Sequence, residues 1–213
     1  MQLGLTADEV LTTTRAVRKR LDLERPVERE VLMECVEIAL QAPTGSNRQG
    51  WRFMFVTDPD KKRALADLYG KNFDPYVNTP GPEYDEGDVR AERQDYVKGS
   101  AVYLREHFHE VPVLMIPLIE GRTEGADPFV QASFWGSLLP AVWSFMLAAR
   151  GRGLGTAWTT LHLPDERAAA ELLGIPHERY SQAGLFPIAY TKGTEFKLAK
   201  RLPAEDVCHF DTW

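Results

Sequence analysis

Apolar and polar positions follow two different periods along the chain, and these periods predict helices and strands in turn. Apolar residues spaced three and four apart indicate amphipathic helices, whereas short apolar runs between turn residues indicate strands. The predicted helices cover residues 27–41, 59–70 and 164–173, after a short helix that begins at Thr6 and ends near 12–14. The predicted strands cover residues 51–57, 111–119, 157–163 and 185–191. The elements alternate too loosely for a βαβ series, so the pattern favours an α+β or mixed fold.

Residues 128–150 form a long apolar segment that carries apolar side chains on nearly every face of a helix. A helix that is hydrophobic all round is buried, either at the centre of a domain or between subunits. We therefore expect one buried helix here, which the glycines between Gly151 and Gly155 bring to an end.

Residues 71–99 follow neither period and carry three prolines, three glycines and many charged side chains. Such a composition is typical of an excursion over the surface rather than of a core element. We predict a single domain over residues 1–213, with a lid insertion around residues 71–105.

Composition and charge narrow the class of protein. The chain has 213 residues, of which 44% are hydrophobic and 26% charged, as expected for one globular core. A net charge of -6 argues against nucleic acid as the main partner. We expect no uncharged apolar run of the roughly 20 residues that cross a bilayer, and therefore no membrane span. We also expect no signal peptide. With two cysteines in no recognisable framework, a cytoplasmic protein is predicted.

Motifs for several kinds of chemistry are missing or out of context in the sequence. The glycines from Gly151 to Gly155 follow a helix and precede a strand, the reverse of what a dinucleotide-binding turn requires. His107 and His109 lie near acids but have no third ligand in view, so no metal site is predicted. Cys35 lies on an apolar helix face, where packing is the ordinary role of a cysteine.

Three short segments carry groups that suit a planar, anionic ligand. Arg15 and Arg18 can face one side of a helix or turn and hold a phosphate, although a solvated basic face would look the same. Residues 42–51 are rich in hydroxyls and amides that can bond the edge of a heteroaromatic ring, or they form an ordinary loop after a helix. Residues 153–160 combine glycines with threonines, which suits close approach of a flat ligand but also a helix end that enters a strand.

In this order and spacing, the three segments resemble the FMN-dependent nitroreductase family. The family's Arg-Ser-x-Arg, Ala-Pro-Ser-x-x-Asn-x-Gln-Pro-Trp and Gly-Leu-Gly-Thr motifs correspond to residues 15–18, 42–51 and 153–156. Lys200 to Pro203 is similar to the basic segment near the family's C-terminus. Two positions depart from the pattern, since Ala16 replaces a serine and Gly50 replaces a proline.

The resemblance implies a nitroreductase-like α+β sandwich, in which helices flank a central, mostly antiparallel sheet. It also implies an intertwined homodimer with FMN at the subunit interface, where the apolar helix would be buried. Arg15 and Arg201 would hold the phosphate, and Arg18 would lie near the pyrimidine edge of the flavin. The other implied cofactor contacts are the backbone of Thr14, Ala16 and Val17, the partner-facing loop residues Pro43, Thr44, Ser46 and Asn47, and the ring-lining residues Trp158, Thr159 and Thr160.

The activity implied by the resemblance is reduction of nitroaromatic, quinone or similar electron-poor molecules by ping-pong hydride transfer, with NADH or NADPH as co-substrate. No catalytic side chain is assigned, because the flavin carries the difficult step. Two alternatives stay open at this point. One is a reductive dehalogenase or another metabolite-specific reductase, and the other is a flavin carrier without turnover. The lid residues that would select the acceptor are Tyr84, Glu92, Tyr96, Lys98 and Arg105.

Overall fold

A five-stranded antiparallel sheet organises the chain in the computed structural model, which describes residues 2–213. Its strands are β1 (Trp51–Val56), β2 (Val113–Glu120), β3 (Leu154–Thr156), β4 (Tyr180–Gln182) and β5 (Phe186–Tyr190). The strand order is β1-β2-β5-β3, and β4 pairs with the end of β2 that β5 leaves unpaired. Every strand pair is antiparallel, which confirms the predicted character of the sheet.

Helices cover both faces of this sheet. Within residues 2–213 they are α1 (Ala7–Thr13), α2 (Arg29–Ala39), α3 (Pro59–Tyr76), α4 (Gln94–His107), α5 (Pro128–Gly136), α6 (Leu139–Gly151) and α7 (Glu166–Leu173). Side-chain caps account for several of their starts, because Thr6 forms a capping box with Glu9 and Asp58 accepts a hydrogen bond from the Lys61 amide. Gly174, with a φ of 69°, ends α7 in the left-handed conformation that favours glycine.

The central strand β2 is buried on both faces, and its side chains alternate between two cores. Val113 and Met115 pack in the core that contains α2 and α6. Leu114 and Ile116 pack in the opposite core, with α3 and α4. Because successive strand residues point to opposite faces, one apolar strand supports both helical layers. The sandwich predicted from the resemblance is confirmed.

The apolar segment at 128–150 is not the single buried helix that the sequence predicts. It divides into α5 and α6, and Pro140 in the first turn of α6 has no N–H to donate to the carbonyl four residues earlier. α6 is a core helix, with Val142 and Phe145 fully buried. α5 instead has no buried residue, and Phe129 is 80% exposed.

The expectation that no apolar run is long enough to cross a bilayer is also wrong for this segment. Residues 128–151 are long and apolar enough to cross a membrane by length and composition, with a mean hydropathy of 1.3 over an 18-residue window. The core helix of a globular protein passes the same test, and α6 serves as such a helix, packed against α2.

α3 continues six residues beyond its predicted end at Gly70. A Cβ atom at Gly70 would lie 2.5 Å from Cζ of Arg105, so this glycine permits the Arg105 side chain to cross α3 rather than ending the helix. Arg105 then bonds Asp74, one turn further along α3. Within residues 71–105, where the lid insertion is predicted, the stretch outside α3 and α4 is 77–93, because α3 covers the start and α4 covers the second half and buries Leu104.

Two strand predictions need correction. β3 lies at Leu154–Thr156, upstream of the predicted 157–163, where Thr159 keeps only an isolated bridge to Leu185. β4 was not predicted, since three residues are too short for a visible alternation. Pro117 is accommodated inside β2, where its carbonyl accepts a hydrogen bond from the Ala183 amide at 2.9 Å.

Candidate functional site

Two of the three candidate segments meet at β3. The Val17 amide donates to the Thr156 carbonyl at 2.8 Å, and Ala16 forms an isolated parallel bridge with Thr156. Gly155 makes this approach possible, because a Cβ atom there would lie 3.0 Å from Cβ of Val17 and 2.7 Å from Cγ2 of Thr191. The glycine is thus required by close packing of the backbone that carries the basic segment.

Arg18 extends from this junction toward α4. It is half-buried, and Nη1 donates to Oγ of Ser100 in α4 at 3.3 Å. Burial lowers the pKa of Arg18 from its ordinary value, although it remains a cation at neutral pH. Burial also raises the pKa of the neighbouring Tyr69 to about 12, so Tyr69 is a neutral hydroxyl there.

Arg18 shares a cavity of about 610 Å³ with the third segment. A volume of this size is typical of small-molecule sites. One wall comes from Trp158, Thr159 and Thr160, and the rest of the lining includes residues around Pro80 together with Lys98 of α4. The wall is fixed by the core, because the Trp158 indole N–H donates to the Ala183 carbonyl and its ring lies 5.1 Å from that of Phe186.

Arg15 lies at the other end of the basic segment, next to the C-terminal tail. One of its Nη atoms donates to the Lys197 carbonyl, and its guanidinium lies 5.8 Å from the centre of the Phe196 ring. Partial burial lowers the pKa of Arg15, and the positive charges of Arg201 and Arg93 lower it further. The structure therefore brings Arg15 and Arg201 into electrostatic range, although Arg201 is exposed.

The arginines of this region have no acidic partners among residues 2–213, whereas elsewhere in the fold some arginines are paired with a carboxylate and others, such as Arg52 and Arg63, are not. Arg90, Arg105 and Arg122 each form a salt bridge with a carboxylate. Within residues 2–213, no carboxylate oxygen lies within 4.0 Å of the cationic nitrogens of five arginines, namely Arg15, Arg18, Arg20, Arg150 and Arg201. In a chain of net charge -6, an unpaired cluster of guanidinium groups suits a phosphate.

The loop at residues 43–47 does not line this cavity within the single chain. Thr44 and Ser46 line a separate cavity of about 510 Å³ beside α5. Ser46 and Asn47 adopt φ angles of 53° and 52°, which are uncommon for residues other than glycine. The Gly45 amide donates to Oγ of Ser137 at 3.0 Å, which anchors the strained loop at the break between α5 and α6. Strain of this kind is found at functional sites, where the surroundings hold it in place.

Four residues that the sequence did not single out complete the region. Tyr69 and Ser100 lie beside Arg18, while Arg150 and Phe196 lie beside Arg15. None of them belongs to a local motif, because each reaches the region from a distant element. The Thr14 hydroxyl donates to the Val10 carbonyl at the end of α1, and the backbone contact expected of Thr14 stays a prediction.

Solved structures with this architecture define the class of protein. An iodotyrosine deiodinase bound to FMN and 3-iodo-L-tyrosine superposes with a TM-score of 0.73 at 22% identity, over 98% of this chain and 100% of that one. An FMN-dependent nitroreductase from Mycobacterium smegmatis in complex with NADPH gives a TM-score of 0.68 at 19% identity, over 97% and 98% of the two chains. The fold is therefore that of the nitroreductase-like flavoproteins.

The family model for the nitroreductase family matches residues 11–190, and the chain belongs to that family. It is 26% identical to a 4-nitrobenzoate reductase of Nocardioides sp., over 84% of this chain and 78% of that protein. It is 28% identical to an iodotyrosine deiodinase of Thermotoga neapolitana, over 84% and 86%. The predicted family is confirmed, and with it the general class of oxidoreductase.

Proposed function

We propose that this protein is an FMN-dependent oxidoreductase that uses NADH or NADPH to reduce nitroaromatic, quinone or similar electron-poor small molecules. The observation that carries the proposal is that Arg18 lines one cavity together with Trp158, Thr159 and Thr160. The arginines that have no carboxylate partner belong to the same region. Similarity to a 4-nitrobenzoate reductase and to an NADPH-bound nitroreductase supports the reaction class. A cytoplasmic location remains part of the proposal.

The residues present fit FMN on two counts. The unpaired guanidinium groups of Arg15 and Arg201 supply the charge that a phosphate needs, and a buried Nη1 of Arg150 lacks a hydrogen-bond partner. Arg18 and the wall from Trp158 to Thr160 enclose the space for a planar ring. When bound, FMN supplies a two-electron acceptor that takes hydride from a nicotinamide and returns it to a second substrate.

The side chains of this site orient the ligands and stabilise charge. Arg18 is held by Ser100 and keeps its positive charge under the lid, where it can stabilise negative charge at the edge of a reduced ring. Trp158 is fixed by its bond to Ala183 and closes one side of the cavity against water. The lid from 77 to 93 is proposed to select the acceptor.

We propose that the complete site forms between two protomers. The loop at 43–47 lies outside the Arg18 cavity within one chain, so a site that includes both needs a second copy. Phe129 and Val130 are neighbours on α5 and are 80% and 41% exposed, and adjacent exposed apolar side chains mark interaction surfaces. Multi-angle light scattering is expected to give the mass of a dimer, and a stable monomer that binds FMN would contradict this arrangement.

Reductive dehalogenation is a second candidate, because both a sequence relative and a solved structure are iodotyrosine deiodinases. The lid residues expected to serve it are only partly in place. Glu92 pairs with Lys200 at 2.6 Å, and Tyr96 is 60% exposed, so neither lines the cavity, whereas Lys98 does. Halotyrosines belong in the substrate panel, and their reduction in preference to nitroaromatics and quinones would favour the dehalogenase.

The first test is the visible spectrum of the purified protein, before and after incubation with FMN. Flavin absorption bands that remain after gel filtration are expected, and a protein that stays colourless would contradict the cofactor proposal. The second test is steady-state oxidation of NADH and NADPH with each acceptor. A flavin-loaded protein that oxidises neither nucleotide would instead be a flavin carrier.

A further inference from the structure

Arg150 is a buried arginine with an incomplete set of partners. It lies in the last turn of α6 and is only 5% exposed. Its Nε and Nη2 donate to Oγ1 of Thr13, at 3.3 and 3.2 Å, and its buried Nη1 has no hydrogen-bond partner among residues 2–213. A guanidinium has five N–H donors, and leaving them unpaired in the interior is costly.

The surroundings of Arg150 add positive charge instead of neutralising it. Three guanidinium groups surround the ring of Phe196, with Arg20 at 4.2 Å, Arg150 at 4.9 Å and Arg15 at 5.8 Å from its centre. Burial lowers the pKa of Arg150 first, and the charges of Arg15 and Arg20 lower it further. Contact with an aromatic face offsets part of the cost of clustering, but it supplies no negative charge.

The position of Arg150 at a helix end explains only part of this arrangement. Cations are favoured near helix C-termini, but each such interaction contributes only about 0.3–1 kcal/mol at the surface. Arg152, one residue beyond α6, also places a positive charge at this helix C-terminus, and it is paired with Glu34 at 2.8 Å. Arg150 instead turns toward Thr13, two residues before Arg15, and so links the end of α6 to the basic segment.

We propose that Arg150 is a positioning residue for the phosphate of FMN, which holds Thr13 in place and adds a fixed positive charge behind Arg15. This inference rests on the proposed function, since it names a further residue of the same site. The residue acts on the phosphate end of the ligand and not on the ring. Its effect is therefore expected to distinguish FMN from riboflavin, which has the same ring and no phosphate.

The test compares the binding of FMN and riboflavin to apoprotein by quenching of flavin fluorescence. Arg150→Met is expected to weaken FMN binding roughly 10- to 100-fold, the range for loss of a charge-assisted contact. Riboflavin binding is expected to stay within about twofold, because riboflavin has no phosphate for the charge to attract. Higher salt should reduce the difference between wild type and variant, because screening weakens a charge effect.

Three further variants separate charge from structure. Arg150→Gln keeps a donor for Thr13 without the charge and is expected to lose FMN selectivity as Arg150→Met does. Arg150→Lys keeps the charge and should recover most of that selectivity. Arg152→Met, a matched control at the same helix end, should change neither ligand's affinity.

Several outcomes would overturn the inference. Equal weakening of FMN and riboflavin, or no change in either, would show that Arg150 has a purely structural role. Failure of both neutral variants to fold would lead to the same conclusion. If wild type binds neither flavin, the proposed function fails first, whereas tight FMN binding with an unaffected Arg150→Met variant removes this inference alone.

Discussion

Substitution of Gly155 by alanine is expected to damage both the fold and the phosphate end of the site. The new Cβ would lie 2.7 Å from Cγ2 of Thr191 and 3.0 Å from Cβ and Cγ1 of Val17. Real Cβ atoms essentially never approach within 3.0 Å, so the strand must move away from one neighbour. Overpacking of this kind costs about 1–3 kcal/mol in a well-packed interior.

The movement falls on the backbone that places the basic segment. Val17 is bonded to Thr156, the residue after Gly155, and the arginines Arg15 and Arg18 flank Val17. In a protein of this size, 1–3 kcal/mol corresponds to a decrease in Tm of about 2–12 °C. The assay is thermal unfolding of apoprotein at fixed concentration, together with titration of FMN.

Two controls make the reasoning refutable. Gly99→Ala lies in α4 with no atom within 4 Å of the new Cβ, so it is expected to raise stability by about 0.4–1 kcal/mol. Thr191→Ser removes Cγ2 and should partly rescue Gly155→Ala, because it removes the shortest contact. Wild-type Tm and FMN affinity in Gly155→Ala would show that the close packing at β3 does not position the site.

Three other predictions concern the core, a buried histidine and the cavity. Phe145→Ala should lower the free energy of unfolding by about 3–5 kcal/mol in urea, since Phe145 is fully buried between the rings of Phe53 and Phe55. Burial lowers the pKa of His162 from 6.5 to about 4, so the unfolded state binds more protons than the folded state between these pH values. The free energy of unfolding therefore falls as pH decreases from 6.5 to 4. His162→Gln should flatten this part of the profile of urea stability against pH. Arg18→Ala should keep wild-type far-ultraviolet dichroism but slow flavin reduction in stopped flow, or weaken FMN binding, roughly 10-fold or more; unchanged flavin content and reduction rate would exclude Arg18 from the site.

The parts of the fold that could be predicted are those in which a local pattern decides the structure. The end of α1 near Thr12 to Thr14 follows from β-branched side chains, and the end of α7 follows from Gly174. The predicted end of α3 at Gly70 is wrong, because a glycine that stops a helix and a glycine that makes room for a neighbouring side chain look identical in sequence. Only the position of Arg105 across α3 distinguishes the two cases.

The same limit applies to the candidate site. Arg15, Arg18 and the residues from Trp158 to Thr160 could be proposed because they belong to compact motifs with a fixed spacing. Arg150 is separated from Thr13 by 137 residues, so no local pattern connects them. Its place depends on how α6 and α1 pack, and that packing becomes visible only in three dimensions.

Some residues both pack in the core and position the candidate site, and this limits which substitutions the protein tolerates. Gly155 lies in β3, Val17 is itself buried, and Trp158 packs on Phe186 of β5. Changes at these positions are expected to alter stability and cofactor affinity together. The proposed lid from 77 to 93 lies outside the five strands of the sheet, and Tyr76, the residue before it, is 60% exposed. Substitutions in the proposed lid are therefore expected to change which acceptor enters while FMN affinity stays constant, and such a separation would allow one scaffold to serve different substrates.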